Sequence, residues 1–211
     1  MSKRTIYIVV GLFTALILAG WLLLGTSLGS MTRRNVESLS AHISNPSHPP
    51  FPEIDESSLS PVQQRIVRIS REEYAKKPVS YDDNVLKYSN GIAEPWCADY
   101  LSWVMREAGV PFANPNSGGW RIPGVLTLRE YYKSTGRYRD AQQYKPQVGD
   151  AAIFVNTTSF NTSRQHTSIV LKVEGDQITT IGGNERGRLR VQTQKLVYGE
   201  KGLVGYGTLP L

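Results

Sequence analysis

Cys97 is the single cysteine of the 211-residue chain, and His166 is one of only three histidines, the others being His42 and His48. A thiol attacks a carbonyl well when an imidazole stands beside it to manage the proton, and a third polar group usually fixes the ring. Asn184 and Glu185 are the candidates for that third role. Taken singly the residues have bland readings too: most free cysteines are small buried apolar residues, and most histidines are not catalytic. The pairing carries more weight, because His42 and His48 fall in a Pro/Ser-rich stretch and leave one Cys and one His for the folded region. With so few soft ligands, a zinc site built from Cys and His is not expected, and no metal or organic cofactor is called for. Arg186, Arg188 and Arg190 follow at alternate positions, which on a strand would share one face. That stripe reads as a solvated sheet face or as a substrate-binding patch for a carboxylate.

The elements that must position these groups are legible in outline. Ser60 and Pro61 open a helix whose apolar residues Val62, Ile66 and Ile69 recur at helical spacing until Pro78, predicting a helix over 61–76. A second helix starts near Pro95 and runs to Gly109, which puts Cys97 in its first turn. Free backbone N–H groups and the positive end of the helix dipole favour a thiolate there, and a backbone N–H there can serve an oxyanion. A third short helix is expected over 126–133. From residue 146 the pattern turns to strands, over 151–155, 167–173, 177–181, 188–193 and 203–209, with Gly175 and Asp176 marking a hairpin. His166 would stand at the start of the second of these. Helices followed by antiparallel strands predict an α+β domain.

Hairpin geometry leaves the third residue open. A three-residue loop over 174–176 sets Asn184 opposite His166, a two-residue loop sets Glu185 there, and a bulge at Gly182 and Gly183 would reset the count.

No charged residue interrupts Thr5 to Leu28, and the run from Ile6 to Leu24 would span about 28 Å as a helix, enough for a bilayer core. A membrane anchor over residues 1–29 is the favoured expectation; a cleaved signal peptide is the alternative, since Lys3 and Arg4 precede the run and small residues follow it. Residues 30–60 read as a flexible tether reaching roughly 30 Å, and residues 61–211 as one folded domain. The 24 basic residues outnumber the 18 acidic ones. Without Lys3 and Arg4 the excess is mild, too small for a dedicated nucleic-acid binder and suited to an anionic polymer such as a cell wall, or to an ordinary solvated surface.

Residues 94–109, with Pro95, Trp96, Cys97, Ala98, Asp99 and Tyr100 leading into Leu101, Trp103 and Val104, resemble the nucleophile helix of CHAP domains. These are the cysteine, histidine-dependent amidohydrolase/peptidase branch of the papain-like NlpC/P60 group. Pro146, Val148, Gly149, Asp150 and Phe154 are similar to that family's turn into its first strand. His166 to Val173 is similar to its histidine strand, and Ile181 to Asn184 to its Glu-Gly-Asn segment, except that Gly182 stands where the family often has an acid.

The resemblance covers roughly residues 62–209. It implies a papain-like fold that cleaves amide bonds of peptidoglycan, with Cys97 as nucleophile, His166 as general base, Asn184 orienting the imidazole, and Trp96 beside the substrate. Glu185 stays the alternative third residue. Such an enzyme would sit outside the cytoplasmic membrane, held to the bilayer by its N-terminal helix. Two other readings remain: a catalytically silent domain of this type binding wall fragments or a partner protein, and a thiol hydrolase of protein substrates.

Overall fold

The computed structural model describes residues 48–157 and 163–210. Pro50–Leu211 forms one compact unit, whose described residues build four α-helices and one six-stranded sheet. The apolar run of residues 6–24 and the tether as far as residue 47 lie outside the described residues. No helix among the described residues is long and apolar enough to cross a membrane.

Helix α1, Pro61–Ala75, begins where Ser60 and Gln63 cap each other reciprocally, with Pro61 in its first turn. This satisfies N–H groups that a helix start leaves unpaired. Its inner stripe buries Ile66, Val67, Ile69 and Tyr74. Helix α2, Asp83–Leu86, is one turn capped by Asp82, too short to show a period in the sequence. Helix α3, Cys97–Glu107, packs on α1 and on the sheet with Ala98, Tyr100, Leu101, Val104 and Met105 buried. Helix α4, Val125–Ser134, buries Leu128, Tyr131 and Tyr132.

The segment before α1 differs from the expected tether. Phe51 and Ile54 pack against the core, the Phe51 ring lies 5.9 Å from that of Tyr74, and Arg71 pairs with Glu56 at 2.6 Å. Two apolar residues among prolines are too few to show periodicity, yet enough to fasten an extended segment to a helix. The folded unit therefore starts about ten residues before Pro61.

All strand pairs are antiparallel, in the order β1-β6-β2-β3-β4-β5. The strands are β1 Tyr138–Asp140, β2 Ala151–Thr157, β3 Ser163–Glu174, β4 Gln177–Gly182, β5 Arg190–Lys195 and β6 Leu203–Gly207. Period-2 alternation divides the core: Ala151, Ile153, Ile169 and Ile181 join the helices, while Ala152, Phe154, Val170, Leu203 and Tyr206 form a smaller cluster on the opposite face. The α+β expectation holds, with β1 and α2 added.

Candidate active site

Cys97 is the first residue of α3, and no side chain caps that helix end. Its backbone N–H groups are thus free of side-chain caps beside the sulfur. The residue is 7% exposed. Around it the helix start is held rigidly. Trp96 stacks on Tyr88 with centroids 5.7 Å apart and donates its indole N–H to Ser80 Oγ at 3.0 Å. Tyr88 in turn donates to the buried carboxylate of Glu73 at 2.6 Å, which also holds Lys87 and Lys76 at 2.6 Å each. Trp96, expected beside the substrate, is largely buried at 2% exposed and lines the depression it shares with Pro95 and Asn184. An indole is large and apolar enough to be drawn into the core.

His166 lies inside β3, directly opposite Phe154 on β2, rather than at a strand start. Its Nε2 is 3.1 Å from Glu185 Oε1, leaving Nδ1 as the nitrogen available to Cys97. Burial works against a charged ring, but hydrogen bonding and charge from Cys97 and then Glu185 outweigh it and raise His166 to about 9. The ring therefore carries its proton at neutral pH.

The partner of Nε2 is Glu185 and not Asn184, and the hairpin explains why. Gly175 and Asp176 form a two-residue loop, with Glu174 opposite Gln177. A bulge between Val170 and Lys172 then shifts the register, so that Ile169 faces Ile181. Counted onward, this would set Asn184 opposite His166. However, β4 ends at Gly182, and the chain enters a turn in which Asn184 and Arg186 both take left-handed φ values of 56° and 55°. The turn is fastened by Glu185 N–H to Arg188 O at 2.9 Å and by Ser80 N–H to Gly187 O at 2.8 Å. It brings the Glu185 carboxylate back onto the ring, with its side chain 8% exposed.

Asn184 faces elsewhere. It lines two depressions, one with Ser80, Tyr81, Glu94, Pro95 and Trp96, the other with His166, Glu185, Arg186, Arg190 and Gln192. The three arginines do not form one strand face: Arg186 lies in the turn, Arg188 makes an isolated bridge to Val79, and only Arg190 begins β5. Glycine-rich turns erase strand alternation, so the spacing misled.

A buried ion-pair network also holds the helix start. Asp99 is fully buried and meets Arg121 at 2.8 Å, and Arg121 also pairs with Glu94. Burial pushes Asp99 up to about 6 against the pull of Arg121. Arg121 thereby ties the segment before Cys97 to the first turn after it. Among the described residues no cluster of three or more His, Cys, Asp or Glu is placed to hold a metal ion.

A cysteine at a helix start, facing a carboxylate-backed histidine on an antiparallel sheet, has the layout of a thiol hydrolase site. Residues 87–184 match the family model of the CHAP domain, and the chain carries a CHAP domain there. The match includes Cys97, His166 and Asn184; Glu185 is the first residue beyond it. Two solved structures are similar at 17% identity: "The crystal structure of Ly7917", with a TM-score of 0.44 over 70% of this chain and 62% of that one, and "The crystal structure of Ly7917 with the hydrolyzing product of MDP", with 0.42 over 71% and 62%. The chain thus spans less than two thirds of the length of those chains. No curated protein matches it.

Proposed function

We propose that the protein hydrolyses an amide bond of peptidoglycan by a thiol mechanism, with Cys97 as nucleophile, His166 as proton donor and Glu185 as the group that holds the ring. The observation that carries this reading is the Glu185 carboxylate on Nε2 of a histidine paired with a cysteine at a helix start, with the cysteine and histidine inside the CHAP match and the carboxylate one residue beyond it. The Cys97 thiolate adds to the amide carbon, and the oxyanion takes the N–H groups at the start of α3. The protonated His166 then gives its proton to the leaving nitrogen, the C–N bond breaks, and a thioester remains on Cys97. Water, deprotonated by the ring, releases the acid and restores both groups. Glu185 acts throughout by keeping Nδ1 toward the sulfur and by stabilising the imidazolium.

The apolar run from Ile6 to Leu24 supports a membrane-anchored protein with its catalytic domain on the outer side, where peptidoglycan lies. In intact cells an impermeant thiol reagent should then label Cys97; labelling only after lysis would place the domain inside.

Digestion of purified peptidoglycan, followed by mass spectrometry, tests the activity. Fragments bearing one new amine and one new carboxyl group are expected, and none from Cys97→Ala. Absence of such fragments with the unaltered protein would refute the hydrolase reading and leave a binding role.

A further inference from the structure

Asn184 stands between two depressions of different character, and the chemistry of proton transfer gives each a side of the substrate. The nitrogen that leaves must lie beside the group that protonates it, so the depression that His166 and Asn184 line together belongs to the amine half of the substrate. The depression lined by Pro95 and Trp96, which lead into Cys97, belongs to the acyl half.

The amine side is the larger, about 370 Å³, and it is cationic: Arg186 and Arg190 line it with Gln192. Its carboxylate, Glu185, is already engaged by His166. Among the described residues neither arginine has an ion-pair partner, and Arg190 Nε is buried without a hydrogen-bond partner. A guanidinium beside a reaction centre with no acid to satisfy it is a receptor for an oxyanion, and a carboxylate accepts two of its N–H groups at once. Arg186 is held there by a left-handed backbone, φ 55°, that is costly for an arginine. Arg188, two residues on, is exposed and does not line the depression.

We infer that the enzyme selects amides whose leaving amine fragment carries a free carboxylate, bound by Arg186 and Arg190, so that the amine product is an amino acid or peptide acid. The inference rests on the hydrolase reading for its sidedness and deepens it by naming the charge and the half of the substrate that carries it. Asn184, at the ridge, then touches the substrate between its two halves.

The test uses the full-length protein and a muropeptide that it cuts, prepared with the carboxylate nearest the scissile bond on the amine side either free or as its carboxamide. A third version carries the carboxamide on the acyl side. Amine-side amidation should raise KM about tenfold or more with a smaller change in kcat, and acyl-side amidation should not. Arg186→Gln or Arg190→Gln should raise KM for the free acid to that of the carboxamide, while Arg188→Gln stays within about twofold. Equal KM for acid and carboxamide, or a penalty on the acyl side alone, would overturn the inference while leaving hydrolysis intact. Calorimetric binding of D-alanyl-D-alanine and of its C-terminal amide reads the same preference without turnover. Tighter binding of the acid, lost in Arg186→Gln and Arg190→Gln, supports the inference even if no bond is cut; equal binding counts against it.

Discussion

A β-carbon placed on Gly182 would lie 2.8 Å from His166 Nε2, inside the space that the Glu185 carboxylate fills. The glycine at this position and the glutamate three residues later are therefore one arrangement. Where CHAP-like sequences often carry an acid before Gly-Asn, this chain has no room for a side chain, because the turn sends its acid back from position 185. The departure from the family pattern at Gly182 thus coincides with a carboxylate on the ring.

Gly182→Ala follows directly. The three atoms nearest the added methyl all belong to the Glu185 and His166 side chains, so the fold should persist while the carboxylate and the ring are pushed apart. Hydrolysis should fall at least about tenfold, with a melting temperature near that of the unaltered protein. Full activity in a folded variant would show that the carboxylate does not need that position.

Glu185→Gln should lower kcat by about ten- to a hundredfold, since a neutral amide no longer stabilises the imidazolium. Asn184→Ala should change kcat less, because Asn184 is not the partner of Nε2. Steady-state kinetics on one substrate ranks the two, and the reverse order would return the role to Asn184.

The raised His166 gives a pH signature. Because its folded pKa of about 9 lies above the ordinary 6.5, the ring binds its proton more tightly in the folded state. Its contribution to stability is full below about pH 6.5 and is lost as pH rises through about 9. Rate should fall on the same alkaline limb, as the leaving nitrogen loses its proton donor. In Glu185→Gln both limbs should move to lower pH, measured by thermal melts and by pH profiles of kcat. Limbs that stay where they are would separate the carboxylate from the ring's proton.

Phe51→Ala should cost about 1 to 2 kcal/mol of unfolding free energy, the loss expected for a half-buried ring. Chemical denaturation measures it. No change would restore the segment before Pro61 to a free tether.

The contrast between Phe51 and Cys97 shows what the sequence makes legible. The helix bearing Cys97, the hairpin at Gly175 and the strand bearing His166 each announce themselves through local signals: a proline, a two-residue turn, an apolar run. Glu185 does not, because its position depends on one extra residue near Leu171 and on two left-handed residues after Gly182. Neither leaves a pattern in hydropathy. The split of the three arginines between turn and strand, and the burial of Trp96, escape the sequence for a related reason. Residue type shows what a side chain can do, and only packing shows that Trp96 stacks on Tyr88 while lining a depression.

Because Cys97 is the only cysteine, alkylation by iodoacetamide reads the central claim directly. Intact-mass spectrometry counts the single adduct while hydrolysis of peptidoglycan is followed in the same samples. Activity should fall in proportion to the alkylated fraction and vanish at one adduct per chain, with the fold retained. Undiminished hydrolysis by fully alkylated protein would contradict a thiol mechanism at Cys97.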